Sequence, residues 1–99
     1  MKKQIVTFLL IVLVSCSGSI VLESEDKSKR LIYSCGSFES QAKTPKDIRI
    51  LALSFKETLK SAAKSKDIVY IQSATNAFSQ RDWKRLERLI VEYKCKNRR

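Results

Sequence analysis

Apolar residues recur along this chain in three rhythms. From Ile5 to Val14 they are continuous but for Thr7, with Lys2 and Lys3 ahead of them. From Ser17 to about Arg30 the periodicity fades into small and charged residues, with Glu23, Glu25 and Asp26 followed by Lys27, Lys29 and Arg30. From Thr44 onward apolar residues return at three- and four-residue steps, the repeat of a helix that buries one face.

That last region predicts three helices. Thr44-Pro45-Lys46-Asp47 puts a capping hydroxyl, an N1 proline and a carboxylate in the order that opens a helix. Ile48, Leu51, Ala52, Phe55, Leu59 and Ala62 then form one stripe, so the first helix is expected over about 45–64. After the break at Ser65-Lys66-Asp67, the β-branched run Ile68-Val69-Tyr70-Ile71 would suit a strand. Ile71, Ala74, Ala77 and Phe78 keep helical spacing, however, and no pairing partner is evident, so a second helix is expected. Ser79-Gln80-Arg81-Asp82 repeats the capping arrangement, and Trp83, Leu86, Leu89, Ile90 and Tyr93 line the third helix. The expected fold class is all-α: a small three-helix domain over 44–99, following a flexible tether over 16–43. Within the tether, Leu31-Ile32-Tyr33 reads as a short extended piece packed on the domain, and 34–43 as loop. Fourteen extended tether residues would reach at most about 46 to 50 Å.

Residues 1–15 have the layout of an export signal. The two lysines hold the start in the cytoplasm, and the apolar run is short for a hydrocarbon core of ~30 Å. The quartet Leu13-Val14-Ser15-Cys16 resembles the lipobox of bacterial lipoproteins: an aliphatic residue, a tolerant position, a small residue and a cysteine. The resemblance implies diacylglyceryl transfer to the Cys16 thiol and cleavage between Ser15 and Cys16. In the enterobacterial pattern Ser17 at the next position, where Asp would retain the protein at the inner membrane, implies the periplasmic face of the outer membrane. Two alternatives stay open: an uncleaved anchor, because 4–22 carries no charge, and an ordinary signal-peptidase cut near Ser17-Gly18-Ser19. Ala74, Ala77, Phe78, Asp82 and Trp83 also loosely resemble a tetratricopeptide hairpin. A lone unit cannot form a solenoid, and a generic αα-hairpin is the better expectation.

Composition narrows the chemistry. Without residues 1–15, 84 of the 99 residues remain, carrying 18 basic and 10 acidic side chains, a net charge of +8. In an exported protein that charge points to an anionic envelope surface or an acidic protein, with no nucleic-acid partner expected; solvation of a helical surface is the competing reading. With Cys16 assigned to lipid, Cys35 and Cys95 remain as a pair expected to bridge in an oxidising compartment. Unpaired thiols are the alternative. Closing a loop of 60 residues is worth roughly 4 kcal/mol in the chain-entropy model. No histidine is present and only two glycines occur, so there is no neutral-pH base, no phosphate loop and no zinc shell. No catalytic residue, metal or cofactor is expected. Asp47 and Asp82 are explained as caps, and Glu57, Glu87 and Glu92 as partners of nearby basic residues.

Binding is therefore the expected role. Arg81, Lys84, Arg85 and Arg88 share one side of the third helix and form the candidate basic face. Small helical lipoproteins with one disulfide include the pilotins that escort secretins. This chain resembles them in size, anchor and helix content but shares no motif with them, which implies an envelope adaptor held by its lipid near another envelope protein. A lipoprotein of a phage or plasmid that blocks a receptor or excludes incoming DNA is the alternative. A pore-forming role ranks last, because the helices are amphipathic and heavily charged.

Overall fold

The computed structural model describes residues 18–97. The signal segment, the cleavage at Ser15 and the lipid attachment at Cys16 lie outside the described residues, as do Arg98 and Arg99. The element order is β1 (Ser19–Glu23), β2 (Arg30–Ser34), α1 (Pro45–Ser65), α2 (Ile68–Ser79) and α3 (Trp83–Lys96).

The three helices occupy the expected stretches. Thr44 caps α1 through a complete capping box with Asp47, with Pro45 in the first turn. The helix ends at Lys66, whose left-handed backbone (φ 60°) turns the chain into α2. Asp67 caps α2 by accepting from the Tyr70 N–H. The second cap differs from its expected form. Ser79 is the last residue of α2, and Asp82 is itself the N-cap of α3, accepting from the Arg85 N–H at 3.3 Å. A left-handed residue at Arg81 (φ 57°) separates the two helices.

The all-α expectation is corrected before residue 44. Much of the segment read as a tether is an antiparallel hairpin, in which Ile20 faces Tyr33, Val21 faces Ile32 and Leu22 faces Leu31. Ile20, Leu22, Leu31 and Tyr33 are buried, whereas Val21 and Ile32 point outward. The strand signal is hard to see because the outward positions are also apolar, which hides the alternation by which strands are recognised. The charged run that looked like linker is the hairpin loop. Asp26 accepts from the Ser24 and Ser28 hydroxyls (2.8 and 2.7 Å) and from the Ser28 N–H (3.0 Å), while Lys27 adopts φ 62°. These bonds hold the Asp26 carboxyl well below its usual range.

One core joins all five elements. The inward hairpin residues meet Ile50, Leu51, Phe55 and Ala62 of α1, Tyr70, Ala74 and Ala77 of α2, and Leu86, Ile90, Val91 and Tyr93 of α3. α1 is therefore buried on more than its predicted stripe: Asp47, Ile50, Ser54 and Thr58 are covered as well. Thr58 satisfies its hydroxyl on the Ser54 and Phe55 carbonyls and pairs with the Tyr70 hydroxyl at 2.7 Å. Burial pushes the Tyr70 phenol up to about 12. Cys35 and Cys95 form a disulfide with Cα atoms 5.7 Å apart, which pins the end of the hairpin to the last turn of α3.

Candidate functional site

The segment 36–43 runs from the disulfide back along α3 to the start of α1, and the Glu87 side chain anchors its middle. Glu87, fully buried, accepts hydrogen bonds from the Tyr33 hydroxyl, the Ser40 hydroxyl (2.6 Å), and the N–H groups of Gln41 (2.8 Å) and Ala42 (2.9 Å). Four donors on one carboxylate satisfy a group that would otherwise be costly to bury. Burial, followed by the bond to Glu87, drives the Tyr33 phenol far above its usual range. Phe38, in the same segment, stacks on the Tyr33 ring at 6.0 Å. The expectation for Glu87, a surface partner of nearby basic residues, is thus corrected. Helical spacing puts it three residues after Lys84 and gives no hint of the segment that covers it.

Asp47 organises the neighbouring corner. Its carboxylate accepts from the Lys43 N–H (2.8 Å) and Thr44 N–H (3.1 Å), and its other oxygen meets the Lys29 ammonium at 2.6 Å. Burial raises this carboxyl, but the Lys29 charge and the two backbone donors outweigh it and bring it down to about 2.

These two carboxylates position a surface groove where the start of α1 meets the start of α3. It has a volume of about 700 Å3; Ile48 and the half-buried Trp83 are among its apolar lining, and Lys43, Arg81 and Lys84 are its cations. Trp83 is fixed by an aromatic row, edge-on to Phe78 at 5.7 Å, with Phe78 stacked on Phe55 at 5.0 Å. Beside the groove, Lys84, Arg85 and Arg88 line a smaller depression of about 530 Å3 that Phe38 also lines. Ser40, Asp82 and Lys84 border both.

Of the candidate basic face, Arg81 therefore lies in the turn before α3 and the other three on the helix, spread over two adjoining concavities. Cys35 and Cys95 sit at the opposite end of α3 and take no part. Nothing in the sequence marks Lys43, Phe38 and Ser40 as site residues, because a loop residue reveals its neighbours only once something remote anchors it. Trp83 was visible only as a core residue.

Glu87 is fully occupied by its four donors, and Asp82 caps a helix. Guanidinium and ammonium groups around an apolar, aromatic floor favour carboxylates carried on a partly apolar segment. Among the described residues no group of three or more cysteine, aspartate or glutamate side chains could hold a metal ion. No described helix is long and apolar enough to cross a membrane. Comparison of the chain with protein-family models, curated proteins and solved structures gives no match.

Proposed function

We propose that this protein is a lipid-anchored envelope adaptor that holds an acidic segment of another envelope protein in the groove formed by Lys43, Arg81, Trp83 and Lys84 and its extension past Arg85 and Arg88. One observation carries the reading. Gly18, where the chain comes from the Cys16 side, is bound to the Cys35–Cys95 end of the molecule, whereas the cationic groove lies at the other end of α3. A protein tethered at the first end presents the second to its surroundings. The lipobox resemblance and the envelope setting supply the tether and the kind of partner.

The test is capture of partners from the native envelope by the lipidated protein, comparing the natural chain with a variant carrying Arg81→Gln, Lys84→Gln, Arg85→Gln and Arg88→Gln. Exposed charge pairs are worth on the order of 0.2–1 kcal/mol each, so the four together should weaken capture about tenfold at low salt. The loss should shrink at high salt. Capture that is unchanged at low salt would mean that these side chains only solvate the helix.

A further inference from the structure

The point where the chain enters the fold is surrounded by features that the core does not explain. The Gly18 carbonyl accepts from the Cys35 N–H at 3.3 Å, and Cys35 is bonded to Cys95 in the last turn of α3. Ser19 borders a cleft with Ser61, Tyr93 and Asn97. Tyr93 donates to the Ser61 hydroxyl at 2.9 Å and stacks on Tyr70 at 4.3 Å. The last turns of α1 and α3, the first turn of α2 and the start of β1 thus form one end of the molecule.

Two unexplained features share that end. Ile68 and Val69 open α2 with 57% and 76% of their surfaces exposed, the most exposed of the described large apolar residues besides Ile32. Lys64, Lys66, Lys94 and Lys96 belong to the same turns, and neither ion pair among the described residues involves them. Asp67, the acidic residue nearest to Ile68 in the chain, is engaged as the cap of α2. An exposed β-branched pair beside the exposed Lys64, Lys66 and Lys96, with the half-buried Lys94 sharing its cleft with Glu57, matches the layered chemistry of an anionic bilayer surface, apolar below and negatively charged above.

We infer that this end docks on anionic phospholipid, with Lys64, Lys66, Lys94 and Lys96 among the headgroups and Ile68 and Val69 in the interfacial layer. The inference rests on the reading that the chain is held in a membrane just before Gly18, through Cys16 or through the apolar run itself. Only Ser17 separates Cys16 from Gly18. Two residue steps give about 7 Å of slack, less than the Debye length of ~8 Å at physiological salt. The lysines of this end therefore lie within the field of the membrane surface, and the cationic groove at the other end faces away from it.

The experiment is amine acylation of the mature membrane-extracted protein in vesicles of phosphatidylcholine alone or with added phosphatidylglycerol, read lysine by lysine by mass spectrometry. Lys64, Lys66, Lys94 and Lys96 should react about threefold more slowly in the anionic vesicles, while Lys27, Lys46 and Lys84 keep their rates. A variant with Lys64→Glu, Lys66→Glu and Val69→Asp changes exposed positions only, and should abolish the protection of Lys94 and Lys96. Equal rates in both vesicles would overturn the inference. Intact mass reads the anchor separately. A lipidated protein with uniform acylation overturns the docking surface and leaves the anchor. An unlipidated protein protected only by the anionic vesicles overturns the anchor and supports the surface.

Discussion

Asp47 in the first turn of α1 and Glu87 in the second turn of α3 are both buried carboxylates that gather backbone N–H groups, and they differ in where those groups come from. The backbone donors of Asp47 lie three and four residues away. Those of Glu87 come from Gln41 and Ala42, 46 and 45 residues away, with the Tyr33 and Ser40 hydroxyls completing the set. Asp47 also has a half-exposed cation, Lys29, whereas no ion pair to Glu87 occurs among the described residues. The first carboxylate serves a turn that can form before the rest of the chain arrives. The second is satisfied only when the hairpin, the loop and α3 are all in place, so it reports on the complete fold.

Three perturbations sharpen this contrast. The largest is loss of the disulfide by Cys35→Ser with Cys95→Ser. The bond closes a separation of 60 residues, so chemical denaturation should show a loss of roughly 4 kcal/mol in the chain-entropy model. Because the same bond fixes the start of the segment that Glu87 receives, the loss from Glu87→Ala should change in that background; strict additivity would show that the two locks act independently.

Next is Glu87→Ala alone, which strands two backbone N–H groups and two hydroxyls. An unsatisfied buried donor costs about 1–3 kcal/mol. Partial rearrangement of the loop leaves an expected total of roughly 3 kcal/mol, with faster amide exchange at Gln41 and Ala42. Exchange that is unchanged there would mean that the loop is held by other contacts. The groove should weaken with it, since Lys43 and Ser40 depend on the same segment.

The smallest effect belongs to Asp47. Its folded carboxyl titrates at about 2, below the ~3.9 expected when unfolded. A depressed folded value contributes stability that is fully present above the unfolded value and is lost as pH falls through the folded one. Stability should therefore decline between about pH 5 and pH 2, by about 1–2 kcal/mol after discounting for the partly exposed Lys29. Asp26 is depressed in the same direction, so Asp47→Asn is the control. The variant should lose its share at neutral pH and flatten the acid limb, and an unaltered limb would assign the acid sensitivity to other carboxylates.

The three helices were legible because their signals are local. The Thr44–Asp47 box, the Lys66-Asp67 break and the three-and-four spacing act within a turn or two of each residue. The bridge between Cys35 and Cys95 was legible by a different route, from the parity left once Cys16 is set aside. Of the hairpin only Leu31-Ile32-Tyr33 was legible, as an extended piece packed on the domain; its pairing with β1 was not, since Val21 and Ile32 carry apolar side chains on the outward face and the Ser24–Lys29 loop has the composition of a linker. At the candidate site, helical spacing groups four basic residues, Arg81, Lys84, Arg85 and Arg88. The groove between them depends on Lys43 and on a loop that spacing cannot position.

By itself, then, the chain's order of residues determined that three helices follow Thr44, where the first of them begins, and the positive charge that any partner must meet; with Cys16 set aside on its lipobox resemblance, it also left two cysteines to pair. Each of these depends on neighbours in sequence or on plain counting. Tertiary structure alone decided that 19–34 folds back as a hairpin instead of trailing as a tether, and that Glu87 turns inward to hold a distant loop. It also set the cationic groove and the entry of the chain at opposite ends of α3. Those outcomes depend on groups dozens of residues apart meeting within a few ångströms, where burial and hydrogen bonding together outweigh local preference.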